Sequence, residues 1–305
     1  MKMGDSFRKD INITLKIFKT LVMPILLYLA DYWGCLKLPK NNPIEVIQNS
    51  FLKQLLGVQS QTTNIGVLLE TGEIPLSCYA KKLCIKNWCR IARGMGNNIV
   101  QHSYKNAVAN NSAWPNRIQQ ELTTVGLFEM YLSAANNTKH VDVVFFQRLI
   151  DIFHQTAFSQ IREPQSKLRT YSLIKSDIGL EKYLSEVKNI TDRTNMTKLR
   201  LSNHSLLIEK GRHLKIEKNL RFCPFCPRSI EDELHFVISC KTYKCQRKLL
   251  FQEMRENCVG FELLSSDEQF KTLFTETSIA KVLARYLSNN FEIRNFLLLN
   301  PKNNI

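Results

Sequence analysis

The chain has 305 residues, 44% of them hydrophobic and 10% aromatic, which excludes a disordered polymer and allows a sizeable buried core. A net charge of +15 favours polyanionic partners, nucleic acid first and an acidic membrane surface second. The longest apolar run, residues 21–30, is too short to cross a bilayer and contains Pro24, so no membrane partner is expected. Nine cysteines, an odd number without a secretory-type leader, suit a reducing compartment, cytoplasmic or nuclear.

In chain order, helical spacing comes first. Residues 10–36 predict a helix with Leu15, Phe18, Val22, Ile25 and Leu26 inward, kinked or divided at Pro24. Residues 44–57 predict a second amphipathic helix closed by Gly57. A polar loop, a short helix and the turn TGEIP lead to a helix over about 76–93, ended by Gly94. The fold class is therefore mainly α. Three consecutive regions are expected: 1–95 helical, 96–190 a helical connector, and 191–305 a basic helix, a small metal-binding module and closing helices.

Residues 223–240 carry the most specific chemistry. They read Cys-x2-Cys-x8-His-x4-Cys, with Cys223, Cys226, His235 and Cys240 as candidate ligands of one structural Zn2+. A redox or incidental Cys-x-x-Cys is the alternative, and Cys245 is a competing fourth ligand. Ser229 with Asp232 resembles a helix-opening cap, and Glu231, Asp232 and Glu233 suit the positive end of a helix. On an unbroken helix Cys240 would lie roughly 140° around from His235, so the helix must end or loosen before Cys240. Cys35, Cys78, Cys84, Cys89 and Cys258 read as core fillers.

Charge concentrates around this motif. Residues 193–248 hold 13 Lys/Arg against 5 Asp/Glu. A helix through 193–210 would place Arg193, Arg200 and His204 on one stripe, with Gly211 ending it. Arg212, Lys215 and Arg221 would follow on a linker into the cysteines, with Arg228, Lys241, Arg247 and Lys248 beyond. These ten are the candidate phosphate contacts to RNA or DNA, a partner choice that the sequence leaves open, as it does the oligomeric state. A solvated face is the bland alternative.

Several strings resemble one family. FKTLVMPILLYLADYWG (18–34) is similar to a Pro-x-Leu-x-Tyr-Gly-x-x-x-Trp-Gly pattern, matched by Pro24, Leu26, Tyr28, Trp33 and Gly34, with Leu29 in place of the glycine. Thr63, Asn64, Glu70, Gly72, Pro75 and Leu76 answer to a Thr-Pro-Asn loop and a Glu-x-Gly-x-x-Pro-Leu turn, although Thr62-Thr63-Asn64 lacks the proline. SKLRTY (166–171), GLEKYL (179–184) and KLRLSNHSLLIEKGRHLKIEKNLRFCPFC (198–226) follow in order, running into EDELHFVISCKTY. Together they resemble the post-polymerase region and zinc knuckle of non-LTR (LINE-type) retrotransposon reverse transcriptase proteins. The resemblance implies a region that grips template RNA or target DNA. No Asp-Asp pair, which the polymerase would need for two metal ions, occurs in the chain, so no catalysis is expected. An inactive remnant and a host-recruited protein-interaction module are the competing readings.

Overall fold

A computed structural model of the protein describes residues 4–39, 41–133 and 140–300. It is mainly α, with eighteen α-helices and one two-stranded ribbon among the described residues. No helix among them is long and apolar enough to cross a membrane. The chain forms two compact units interleaved along the sequence. Unit 1 comprises Met1–Thr14, Phe51–Gly72 and Phe158–Ile305; unit 2 comprises Leu15–Ser50 and Glu73–Ala157. This division corrects the expected three consecutive regions. Contacts at large sequence separation, invisible in a linear reading, bring 51–72 together with 158–300.

Unit 2 is built on apolar packing. Helix Leu76–Ala92 buries Leu76, Ala80, Cys84, Ile85, Trp88 and Cys89 on one side, and the last four join Ile118, Leu122, Phe145 and Leu149 in one core. Cys35 lies in the same core and Cys78 packs against it, as fillers. Trp88 donates its ring N–H to Tyr104 at 3.0 Å, so its buried polar atom is satisfied. The N-terminal helix departs from the expected phase. It widens into a π segment at Phe18–Val22, immediately before Met23–Leu26 and its Pro24. The wider turn shifts the inward face, so Leu15 and Phe18 are buried, followed by Leu27 and Ala30, while Ile25 is 75% exposed. After that break Leu29 takes a left-handed conformation (φ 56°), the place where the family pattern has glycine. Gly34 leaves room for the backbone of helix Leu76–Ala92: a Cβ there would lie 2.5 Å from the carbonyl carbon of Ala80.

Unit 1 is held by buried charge as much as by apolar contact. Helix Asn64–Thr71 ends at Gly72 (φ 67°), where a Cβ would lie 2.5 Å from the backbone nitrogen of Leu180. That close approach pairs Thr71 with Leu180 and brings Glu70 beside helix Ile190–Arg200. The Glu70 carboxylate accepts from Tyr183 at 2.6 Å, from Tyr171 at 2.8 Å, and from Arg200 Nε at 2.6 Å. Arg200 also donates to Glu181 at 2.6 Å, and Glu181 in turn pairs with Lys175. The strings at 70–76, 166–171, 179–184 and 198–204, far apart in the sequence, thus supply one buried ionic network. Burial works against the Arg200 charge, but Glu70 and Glu181 outweigh it and hold the guanidinium above its ordinary pKa. Burial and the Glu70 charge likewise push the Tyr171 and Tyr183 hydroxyls up.

Candidate metal centre

The four candidate ligands converge. One donor atom from each of Cys223, Cys226, His235 and Cys240 lies within 4.8 Å of all the others. Cys223 and Cys226 come from an antiparallel ribbon, Phe222–Cys223 with Cys226–Ile230, in which the two cysteines face each other across the turn. The other two come from the helical turn that follows. Asp232 accepts from the backbone N–H of His235 at 2.7 Å, so Asp232 itself is the cap, while Ser229 lies in the strand. That corrects the expected Ser229 cap.

His235–Ser239 is a π turn, closed by Cys240 N–H donating to the His235 carbonyl at 2.8 Å. The chain then leaves the helix at Cys240 (φ −58°, ψ 126°). A π turn closes on the residue five positions later, which brings residues 235 and 240 to one side. This is the loosening that the x4 spacing demanded.

The Sγ atoms of Cys226 and Cys240 are 3.8 Å apart, and those of Cys223 and Cys240 are 4.0 Å apart. Two thiolates at about 2.3 Å from a tetrahedral zinc are separated by roughly 3.8 Å, so the donor set is compatible with that ion. His235 Nδ1 meets the Ser239 hydroxyl at 3.3 Å, whereas its buried Nε2 has no hydrogen-bond partner. A buried orphan nitrogen beside three thiols is what a ligand presents to a metal. The hydrogen bond between Cys223 and Cys240 pulls the Cys240 thiol below its ordinary range and, with burial, pushes Cys223 up. Cys245 is exposed on helix Lys244–Asn257 and lies outside the cluster.

The acidic triplet does more than favour a helix end. Glu231, 2% exposed, accepts from Arg294 at 2.7 and 2.8 Å and from the Leu207 N–H at 2.6 Å. Glu233, fully buried, accepts from Arg169 at 2.7 Å and from His204 at 2.8 Å. The module is thereby tied to helices Leu207–His213 and Ala280–Leu299 and to the segment carrying Arg169. Phe236 stacks on Phe291 at 4.7 Å, adding an apolar seam.

The ten candidate phosphate contacts fall into two groups. Lys215, Arg228, Lys241 and Lys248 are exposed, and Arg212 is half-exposed while pairing with Glu209 at 3.1 Å. The other five are spent internally. Arg193 is buried and donates to the carbonyls of Arg8 and Val187. Arg200 serves Glu70 and Glu181. The His204 side chain, 1% exposed, serves Glu233. Arg221 donates to the Ile208 and Ile216 carbonyls, and buried Arg247 to that of Cys240. The side chains of Arg193, Arg200, His204 and Arg247 are withdrawn from solvent, and half-buried Arg221 is taken up by carbonyls, which corrects their place among surface contacts.

The cause is local. Helix Ile190–Arg200 stops at Leu201, Ser202 adopts φ 49°, and a separate helix, Leu207–His213, contains Gly211. The expected single helix over 193–210 ended by Gly211 is therefore two. Arg193, Met196, Thr197 and Arg200 share the face at i, i+3, i+4 and i+7, and all four are buried. The spacing that put the arginines on one stripe also put them beside Met196, a signal for the interior. No protein-family model, curated protein or solved structure matches the chain.

Proposed function

We propose that the chain is the non-catalytic, nucleic-acid-binding tail of a non-LTR retrotransposon reverse transcriptase protein, with a structural zinc ion held by Cys223, Cys226, His235 and Cys240. The carrying observation is the convergence of four ligand atoms within 4.8 Å in a module that leaves Lys215, Arg228, Lys241 and Lys248 exposed. Zinc, with four protein ligands and no open position, would fix the ribbon and the π turn rather than perform chemistry. The resemblance gains support from the backbone. Leu29 occupies a conformation that favours the glycine of the pattern, and Gly34 and Gly72 stand where a side chain would collide. No catalytic role is assigned, because the chain contains no Asp-Asp pair to hold two metal ions.

Binding to RNA or DNA should be weakly sequence-selective and steeply salt-dependent. Neutralising about six duplex phosphates gives a log–log salt slope near −5. Replacing Lys215, Lys241 and Lys248 together with Ala should flatten that slope by up to about three. The matched control changes exposed Lys86, Arg90 and Lys105 of unit 2 and should leave it unchanged. Equal losses from both sets would mean that only diffuse charge binds, and the reading would fall. The competing reading, a foldable remnant with a zinc staple, is favoured by the burial of Arg193, Arg200, His204 and Arg247, which shows basic residues of this stretch serving the fold.

A further inference from the structure

Unit 2 carries a helix whose apolar side the fold leaves open. Helix Asn98–Ala109 runs for 12 residues without a buried side chain, although it bears Ile99, Val100, Tyr104 and Val108. Ile99 is 75% exposed, and Met95, ahead of the helix, is 54% exposed. Helices in proteins owe most of their stability to packing an apolar face, so this one lacks a cover.

That side borders a groove of about 480 Å³ shared with helix Leu76–Ala92. Tyr32, Ile91, Met95, Ile99, Val100 and Trp114 make its wall mainly apolar. The polar ends of its aromatic rings are already engaged. Trp114 donates its ring N–H to the Tyr32 carbonyl at 2.8 Å, and the Tyr104 hydroxyl accepts from Trp88. What remains for a ligand is apolar surface.

The border of the groove is basic. Arg90 lines it, and Lys86 and Arg93 stand four residues before and three after, on the same stripe of helix Leu76–Ala92 and its cap. All three are exposed, and none enters an ion pair among the described residues. Arg93 donates its Nε to the Cys89 carbonyl at 3.1 Å, which fixes its stem and leaves both terminal nitrogens available. From residue 74 to residue 120 the chain carries seven Lys/Arg and no Asp/Glu. Asp31 is the one carboxylate among the lining residues, and the stripe of three cations outweighs it.

We propose that this groove docks an acidic amphipathic helix of a partner protein, its apolar residues in the groove and its carboxylates along Lys86, Arg90 and Arg93. The assignment is independent of the nucleic-acid reading, whose exposed lysines lie in unit 1.

Charge and shape select this occupant. The cations repeat at i, i+4 and i+7, so carboxylates one turn apart on a docked helix meet successive partners. A helix laid in a groove presents apolar anchors at the same spacing. Met95 and the aliphatic Ile91, Ile99 and Val100 give those anchors an adaptable seat. A single strand of nucleic acid would instead need open aromatic faces on which to stack its bases. Here the Tyr104 and Trp114 rings pack edge to face on each other, with centroids 6.3 Å apart.

The test is fluorescence anisotropy of two labelled helical peptides of about 16 residues, titrated with the full chain. Both carry Leu at i, i+3, i+4 and i+7, flanked by Glu in one peptide and by Lys in the other. The acidic peptide should bind, and the basic one should bind at least about tenfold more weakly. Ile99→Glu should weaken the acidic peptide by about tenfold and, at an exposed position, leave the melting temperature unchanged. Lys86→Glu/Arg90→Glu/Arg93→Glu should reverse the preference, so that the basic peptide binds better. Reversal separates a charge-matched groove from a merely sticky one. No binding of the acidic peptide at about 100 µM, or equal binding of both peptides, overturns the proposal. Acidic-peptide binding that survives both variants also overturns it, because the peptide then sits elsewhere. Displacement of the peptide by single-stranded RNA, with RNA binding lost in Ile99→Glu, would make the groove a nucleic-acid site and overturn the protein assignment. If Ile99→Glu does not fold, the charge reversal at three exposed positions carries the test, and an unreversed preference there overturns the proposal.

Discussion

The two units solve the same problem, burying a core, with different materials. In unit 2 the buried charged side chain among the described residues is Glu73, answered by Lys19 at 2.8 Å. The rest of its core is Trp88, Phe145, Leu122 and their neighbours, with cysteines filling gaps. Unit 1 buries Glu70, Lys175, Arg193, Arg200, Glu209, Glu231, Glu233, Arg247 and Arg294, and adds a cluster of four metal-type ligands. Apolar packing tolerates substitution if volume is kept, whereas buried charge is tolerant of nothing that removes one partner. Unit 2 should therefore degrade gradually, and unit 1 should fail at single points.

The largest expected effect is metal removal. Structural zinc supplies about 10–16 kcal/mol of apparent binding energy in small domains. The acidic triplet ties the module to Arg169, Arg294 and the Leu207 backbone. Chelation of the reduced protein should consequently strip hydrogen-exchange protection from residues 51–72 and 158–300, and leave 73–133 protected. Loss confined to 222–240 would show that the module is merely appended.

Next comes the ionic core. Arg200→Met leaves Glu70 buried without its cation and should cost about 3–5 kcal/mol, read by denaturant unfolding. Adding Glu70→Gln should recover much of that loss, because the stranded charge is then gone. A double variant as unstable as the sum of the two single ones would mean that the residues act independently, contrary to the geometry.

These predictions also mark what the amino-acid order reveals and what it hides. The ligand spacing and the turn that loosens before Cys240 follow from local geometry, and so does the mainly α class. Which cations are free does not. Arg200 and Lys215 are equally basic, and only the folded chain brings Glu70, 130 residues away, to Arg200. The i, i+3, i+7 placement of Arg193, Met196 and Arg200 was the available clue, since one helix face cannot be both core and phosphate surface. The interleaved units were hidden for the same reason: the Gly72 approach to Leu180 depends on a distant partner. Likewise, the π segment before Pro24 shifted the buried face by one position, which a fixed helical period cannot anticipate.

The smallest expected effect tests backbone strain in unit 2. Leu29 is half-exposed and left-handed, a conformation that costs an L-residue roughly 1–2 kcal/mol. Glycine there relieves that strain and loses about 0.5–1 kcal/mol through backbone entropy. Leu29→Gly should therefore raise unfolding stability by up to about 1 kcal/mol, and a clear decrease would show that the Leu29 side chain contributes more than its exposure suggests.

The most direct measurement is the metal itself. Elemental analysis of protein purified under reducing conditions should find one zinc per chain. Cys240→Ser should lower that content and Cys245→Ser should leave it unchanged. Well under one zinc in the unaltered chain would contradict the account, and the opposite behaviour of the two variants would transfer the fourth ligand to Cys245.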